Sequence, residues 1–316
     1  MRYAIGIDIG GTKISASIGN ERGKILAHCE IRTLKGRHAA LCVRKLLEAL
    51  EGLLAEADIP KARIRGIGVC LPGAVNTAKG VVPVSPHLEG WAGFPLAEKL
   101  SRKFRLPVRL ANDANAAALA EKLFGAGRGV AHFIYMTVST GVGGGIVSNG
   151  KLLEGVSFVA GEVGHMTVEP RGEKWKLGEV GVLEAYASGT AVARYVRSRV
   201  GTPAGLKKYR DPGGQVSARA IGAQAARGDR LALGAYERAG FYLGVGVANL
   251  LNILNPGKII LGGGMLKSAP PVFWKTFRKT CRQKSWKQAY RAVRIVRTTL
   301  GDRVGNLGAL ALAFEP

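Results

Sequence analysis

An α/β fold built as two interleaved lobes is predicted by three observations. Strand-like and helical periodicities alternate along the 316 residues, no linker or low-complexity segment interrupts them, and glycine turns follow several of the strands. Tyr3 to Asp8, Ile14 to Ile18 and Lys24 to Ile31 read as short strands, broken by Gly-Gly-Thr-Lys and by Gly19 to Gly23, in an antiparallel meander. From His38 to Ala57, Leu41, Leu46, Leu47, Leu50, Leu53 and Leu54 recur at helical spacing, and the apolar run Ile64 to Leu71 reads as a strand reached by a crossover. Val108 to Leu110 and the alanine-rich Ala114 to Phe124 repeat the strand-then-helix order. Phe133 to Val138 is the next strand, and Leu183 to Leu254 is mostly helical. The last elements are a strand at Lys258 to Leu261, an amphipathic helix near Val272 to Cys281, a strand at Ala292 to Arg297 and a helix at Val304 to Phe314. Two such lobes would leave a cleft of the kind in which small ligands bind.

Composition narrows the class. Hydrophobic residues make up 47% of the chain, enough for two packed domains. Cys29, Cys42, Cys70 and Cys281 lie far apart with no C-x-x-C pair, which argues against a disulfide framework or a cysteine zinc cluster and for a reducing, cytoplasmic setting. The longest apolar stretch, Phe241 to Leu254, contains Asn249 and Asn252 and is shorter than a membrane span, so neither secretion nor membrane spanning is expected.

Four motifs carry chemistry. In Asp8-Ile9-Gly10-Gly11-Thr12-Lys13 a turn after a strand lets backbone N–H groups approach phosphate oxygens, Lys13 and Thr12 add a charge and a donor, and Asp8 is placed to hold magnesium through water. The order Thr12-Lys13 is the reverse of a Walker loop, so the alternative is a tight hairpin turn with a solvated lysine. Ser139 to Gly145, with Thr140 and Gly141, is a second strand-turn-strand suited to the same phosphate chain, and Gly262-Gly263-Gly264 after a strand offers a flat backbone surface to a purine or ribose. Each glycine turn alone is as well explained as only a turn. In Asn112-Asp113-Ala114-Asn115, at a strand-to-helix junction, Asp113 is either a helix N-cap or a general base for a hydroxyl group. Glu162, His165 and Glu184 supply the donors and acceptors that a polyhydroxylated substrate needs, or are satisfied structural residues.

In this order the motifs resemble those of the ROK family (repressor, open reading frame, kinase) of sugar kinases, and its bacterial glucokinases most closely. The match covers essentially the whole chain, including the segment from Thr140 through Gly150, Gly155, Gly161 and Gly164 to His165 and the stretch Leu183 to Thr190. The resemblance implies an actin-like ATPase (ribonuclease H-like) fold, with a small lobe of residues 1–112 and 303–316 and a large lobe of residues 113–302. It makes Asp113 the base, Asn112, Glu162, His165 and Glu184 the sugar ligands, and the backbone at Gly73 a cover over the ring. Gly10, Gly11, Thr12, Lys13, Thr140 and Gly141 would hold the phosphates of ATP, Gly262 and Gly263 its adenosine, and Asp8 the magnesium. The implied activity is ATP-dependent phosphorylation of a hexose, glucose first, at its primary hydroxyl, by a homodimer. Alternatives are a kinase for mannose, N-acetylmannosamine, N-acetylglucosamine or fructose, and a polyphosphate-using glucokinase.

Two departures from the family pattern are informative. Family members carry C-x-C-G-x-x-G-C before Leu-Glu-Ala and bind zinc with the histidine; here the stretch is Trp175-Lys176-Leu177-Gly178-Glu179-Val180-Gly181-Val182. His165 alone cannot supply tetrahedral zinc, so no structural zinc is expected, with Trp175, Leu177 and Val182 replacing it by apolar packing. His87 stands where Asn is commoner, which leaves the preferred hexose open. The family's sugar-responsive repressors, a binding class without turnover, carry an N-terminal helix-turn-helix, for which the strand starting at Arg2 leaves no room.

The charge is the remaining anomaly. Lys and Arg number 46 against 22 Asp and Glu, a formal net charge of +24. From Arg238 to Gly301 there are twelve basic residues and no acid, with Lys275, Arg278, Lys279 and Arg282 on one helix face and Phe273, Phe277 and Cys281 on the other. This reads as a solvated basic face, with polyphosphate donor binding or nonspecific nucleic-acid binding as the sharper alternatives and no specific nucleic-acid partner expected.

Overall fold

A computed structural model gives the structure of the protein and describes residues 1–34, 39–77, 79–82, 88, 90–176 and 178–315. His87 and Leu177, singled out in the sequence, lie outside the described residues. The chain divides into two compact units, residues 1–131, 145–161 and 298–316 in the first and residues 132–144 and 162–297 in the second. The division differs from the expected lobes in keeping residues 113–131, 145–161 and 298–302 with the N-terminal part.

In the first unit β1 (Tyr3–Ile9), β2 (Lys13–Asn20) and β3 (Ile25–Arg32) form the expected antiparallel meander. The crossover α1 (Ala39–Ala57) leads to β4 (Ile64–Leu71), parallel to β1, and α2 (Leu96–Phe104) leads to β5 (Val108–Asn112), parallel to β4. The sheet order is β3-β2-β1-β4-β5. After β5 comes α3 (Asp113–Phe124). The core of this unit joins Ile5, Ile7, Ile14 and Ile18 of the meander to Leu46, Leu50, Leu100 and Trp91, all buried. The helix α2, which the sequence analysis does not include, carries Leu96, Leu100 and Phe104 as a buried i, i+4, i+8 stripe.

The remaining elements are β6 (Phe133–Val138), β7 (Val142–Ser148), β8 (Lys151–Leu152), α4 (Glu184–Ala187), α5 (Gly189–Arg199), α6 (Ala218–Ala226), α7 (Arg230–Leu254), β9 (Lys258–Gly262), α8 (Gly264–Lys267), α9 (Pro271–Lys284), α10 (Lys287–Ala292), β10 (Arg294–Arg297) and α11 (Val304–Phe314). The second sheet runs β10-β9-β6-β7-β8. One expectation needs correcting. The last strand begins at Arg294 instead of Ala292, because Lys287 to Ala292, made largely of good helix formers, closes a further helix first.

The C-terminal helix α11 belongs to the first unit and explains why α3 does too. It is apolar and lies against β1, β4 and α3. Contact is so close that a Cβ on Gly68 of β4 would stand 2.0 Å from the Ala309 carbonyl oxygen, and one on Gly308 2.8 Å from the Ala116 backbone. On α9, Phe273, Phe277 and Cys281 are buried while Lys275, Arg278, Lys279 and Arg282 are exposed, as the amphipathic spacing predicts. Among the described residues no helix is long and apolar enough to cross a membrane.

Candidate active site

The first unit gathers Asp8, Asn112, Asp113 and Gly73. Asp8 sits near the end of β1, and β4 pairs with both β1 and β5, so the ends of neighbouring parallel strands bring Asp8 close to Asp113 at the start of α3. Burial first, and then the neighbouring Asp113 carboxylate, push the Asp8 carboxyl up to about 6, with Lys13 opposing them. The same two carboxylates, after burial, push the Cys70 thiol up. Asp8 is packed so tightly under the start of α11 that a Cβ on Gly305 would lie 2.3 Å from its Oδ2.

The junction settles which residue caps the helix. Asn112 is the N-cap: its Oδ1 accepts from the backbone N–H of Ala114 at 2.9 Å and of Asn115 at 3.2 Å. Its Nδ2 donates to the Gly73 carbonyl oxygen at 3.1 Å, which ties down the backbone there, where Gly73 holds a φ of 100°. Asp113 is therefore the first helical residue, with Oδ1 accepting from the Ala114 N–H at 2.8 Å. The N-cap alternative for Asp113 is excluded by its neighbour.

The turn from Gly10 to Lys13 is closed by the Gly10 N–H donating to the Lys13 carbonyl at 2.9 Å. Thr12 and Lys13 are exposed, and the Lys13 ammonium pairs with Glu30 on β3. That ion pair is solvent-facing and weak, so it does not remove Lys13 from an anion's reach.

The second unit holds the other candidates. Thr140 and Gly141 form the turn after β6, in which the Ser139 N–H donates to the Gly141 carbonyl at 2.8 Å. The turn is joined to α5 by the Gly189 N–H on the Ser139 carbonyl at 2.7 Å and the Thr190 hydroxyl on the Thr140 carbonyl at 2.7 Å. Ser188 caps α5 through the Ala191 N–H at 3.0 Å. The positive end of this helix dipole thus lies beside the Thr140 turn, where anion binding is favoured. Gly262 ends β9, and Gly263, at φ 104°, could carry no side chain because its Cβ would meet the Val138 carbonyl oxygen at 2.3 Å.

Glu184, the first residue of α4, receives three donors: the Val142 N–H on Oε2 at 3.0 Å, and the Trp175 indole N–H at 2.8 Å and Lys176 Nζ at 3.0 Å on Oε1. Burial raises its pKa, but the bonds from Trp175, Val142 and Lys176 outweigh burial and hold the carboxyl below its ordinary value. Glu162 and His165 flank a short 3₁₀ turn and are both exposed. His165 Nδ1 lies 2.9 Å from Glu179 and its Nε2 3.9 Å from Glu162. The sequence reading did not anticipate Glu179 or the indole bond, since the residues involved lie in an irregular loop whose folding no periodicity encodes.

Where relatives would carry zinc ligands, Trp175 and Val182 are buried with Ala185, Tyr186 and Ala191 in one apolar cluster. Three of the four cysteines, Cys42, Cys70 and Cys281, are buried free thiols elsewhere, and Cys29 is half-buried on β3. Among the described residues no group of three His, Cys, Asp or Glu side chains is arranged to hold a metal ion.

A glucokinase of Halalkalibacterium halodurans is 36% identical over 316 residues, covering 97% of this chain and 93% of that protein. The xylose repressor of Bacillus subtilis is 29% identical, covering 99% of this chain and 77% of that protein. Among solved structures, a ROK hexokinase from Thermus thermophilus superposes with a TM-score of 0.84 at 34% identity, covering 99% of this chain and 98% of that one. A ROK family glucokinase from Streptomyces griseus, in complex with glucose and AMPPNP, gives 0.76 at 31% identity, covering 98% of each chain. The two sheets are those of the actin-like ATPase fold that these enzymes share. With the ROK family model matching residues 4–315, the chain belongs to the ROK family.

Proposed function

We propose that the protein transfers the terminal phosphoryl group of ATP to the primary hydroxyl of a hexose, with glucose the preferred acceptor. The observation that carries this reading is Asp113 at the first position of α3, relieved of capping by Asn112 and set beside Asp8. As the hydroxyl oxygen attacks, its proton passes to the Asp113 carboxylate, the new P–O bond forms, and the bond to the leaving nucleotide oxygen breaks. Glu162, His165 and Glu184 are the sugar ligands. Asn112 is a further sugar ligand, and the Gly73 backbone, whose carbonyl accepts from Asn112 Nδ2, covers the ring. Gly10 to Lys13 and the Thr140-Gly141 turn at the head of α5 receive the phosphates, and Gly262 and Gly263 the adenosine.

Asp8 fits a divalent cation. Burial first, and then the Asp113 carboxylate, push its carboxyl up to about 6 against the pull of Lys13, and one magnesium ion would offset both effects. When bound, magnesium would offset charge on the phosphate oxygens. The working form is a homodimer in the cytoplasm, a setting that the free thiols support.

The test is a set of initial rates on glucose, mannose, fructose, N-acetylglucosamine and N-acetylmannosamine, with ATP or polyphosphate as donor and magnesium present. Fastest turnover on glucose with ATP is expected. Turnover with polyphosphate alone would transfer the donor role to the basic face of α9, and no turnover on any pair would place the chain with the family's sugar-sensing members.

A further inference from the structure

The Glu184 carboxylate is anchored at both oxygens by groups of very different rigidity. An ionised carboxylate has about four acceptor positions. Trp175 and Lys176 occupy Oε1 and the Val142 N–H occupies one position on Oε2. One position on Oε2 remains for a hydroxyl group. The terminal torsion of a glutamate is broad, so a single backbone donor does not decide how the carboxylate plane is turned. A second rigid donor on the other oxygen does. Lys176 is a poor candidate for that task, because its side chain is 53% exposed and flexible. The indole of Trp175 is a good one.

The ring is held from several sides. It is buried in the cluster with Val182, Ala185, Tyr186 and Ala191, and the Lys176 ammonium and the Arg194 guanidinium lie 5.2 and 5.5 Å from its centroid. Its own backbone N–H donates to the Glu179 carbonyl at 2.8 Å. The loop before it is fastened by Arg194 Nη1 on the Lys174 carbonyl at 3.0 Å, by the Glu173 N–H on the Tyr186 hydroxyl at 2.7 Å and by the Arg238–Glu173 ion pair. Bare Cα at Gly141 completes the seat, since a Cβ there would lie 2.4 Å from Oε2.

We infer that Trp175 is a positioning residue, whose indole N–H turns the Glu184 carboxylate so that Oε2 keeps one acceptor site for a sugar hydroxyl. The inference rests on the reading of Glu184 as a sugar ligand. It assigns to a neutral side chain, in a loop without thiolates, the task of fixing the sugar site.

The experiment compares kcat and KM for glucose and for ATP in W175F, E184A, the double variant and K176M. Trp175→Phe keeps the buried ring and removes only the N–H. It is expected to raise the glucose KM roughly tenfold, the size of losing one hydrogen bond to a charged group, with kcat and the ATP KM within about twofold of the parent. In the E184A background W175F is expected to add nothing, a non-additivity that general loosening of the loop would not produce. K176M changes an exposed side chain, so its folding is not in question; a smaller rise in glucose KM, again absent in E184A, is expected. An unchanged glucose KM in W175F, or an equal increment with and without Glu184, overturns the positioning role while leaving Glu184 as a ligand. Should W175F fail to fold, Trp175 is replaced by its isostere 3-benzothienylalanine, which swaps the indole N–H for sulfur at the same ring size, and an unchanged glucose KM in that protein overturns the role. An E184A enzyme with the parent's glucose KM sinks the ligand reading and this inference with it.

Discussion

Asp8 in the first unit and Glu184 in the second are both carboxylates drawn out of water, and they end in opposite electrostatic states. Asp8 is buried and faces Asp113, the opposing effect of Lys13 is the smaller one, and its carboxyl rises to about 6. Glu184 receives a backbone N–H, an indole N–H and an ammonium, and its carboxyl is held below the ordinary value. Burial pushes both in the same direction. The donors around each decide the outcome, so the degree of burial alone says little about which carboxylate is charged. The contrast suits the proposed roles, Asp8 as a group that would hold a cation and Glu184 as an acceptor for a neutral hydroxyl.

The comparison can be broken most severely at Asp113. Asp113→Asn removes the proposed base and is expected to lower kcat by roughly 10² to 10⁴ while glucose binding survives. Near-parental turnover in the purified, folded variant would sink that role. The same substitution removes the charge that Asp8 faces, so it should not lower the melting temperature.

Asp8→Asn separates the two carboxylates by the sign of their effect on stability. Because the folded pKa of Asp8 lies above its ordinary 3.8, its shift favours the folded state fully below about 3.8, and that benefit is lost as the pH rises through about 6. At pH 7 in magnesium-free buffer the amide variant is therefore expected to be more stable, by on the order of 2 to 3 kcal/mol, with the gain fading as the pH falls toward 4. Glu184→Gln should do the reverse. Its lowered pKa stabilises the fold above the ordinary glutamate value of 4.5 and loses that contribution as the pH falls below it, so the variant is expected to melt lower at neutral pH. Denaturant titrations of both variants across pH 4 to 8 check the pair, and two shifts of the same sign would contradict the contrast.

A milder perturbation is Gly141→Ala, which sets a methyl group against Glu184 Oε2 and needs the carboxylate to move. A rise in glucose KM and a loss of about 1 to 3 kcal/mol of stability are expected, while the ATP KM changes little. The smallest expected effect is that of zinc removal. A zinc-selective chelator, with magnesium in excess, should leave turnover and melting temperature unaltered, because Trp175, Val182 and Tyr186 pack together and Arg238 pairs with Glu173 in the loop. A fall in melting temperature that added zinc restores would show that the loop is held by metal after all.

Much of the architecture is legible in the sequence. The meander, α1, β6 and α11 came directly from alternation, leucine spacing and glycine turns, because each of these signals lies within one element or one turn. Weak local signals failed where elements were short, as in α10, or where a stripe as plain as Leu96, Leu100 and Phe104 stood after a stretch rich in Pro and Gly. At the site, the residue types were legible and their partners were not. Asn112 and Asp113 are adjacent, and which of the two caps α3 depends on backbone angles at the junction.

What the sequence determined by itself was the order of strands, turns and helices and the set of polar residues placed at their ends, down to the missing thiolates at 175, 177 and 182. What only the tertiary structure decided was who meets whom: Asp8 with Asp113 and Gly305, Glu184 with Val142, and His165 with Glu179. The reason is physical. Periodicity and turn chemistry act over a few residues, whereas a carboxylate's charge state is set by every donor and charge that packing brings within a few ångströms of it, however far away in the chain.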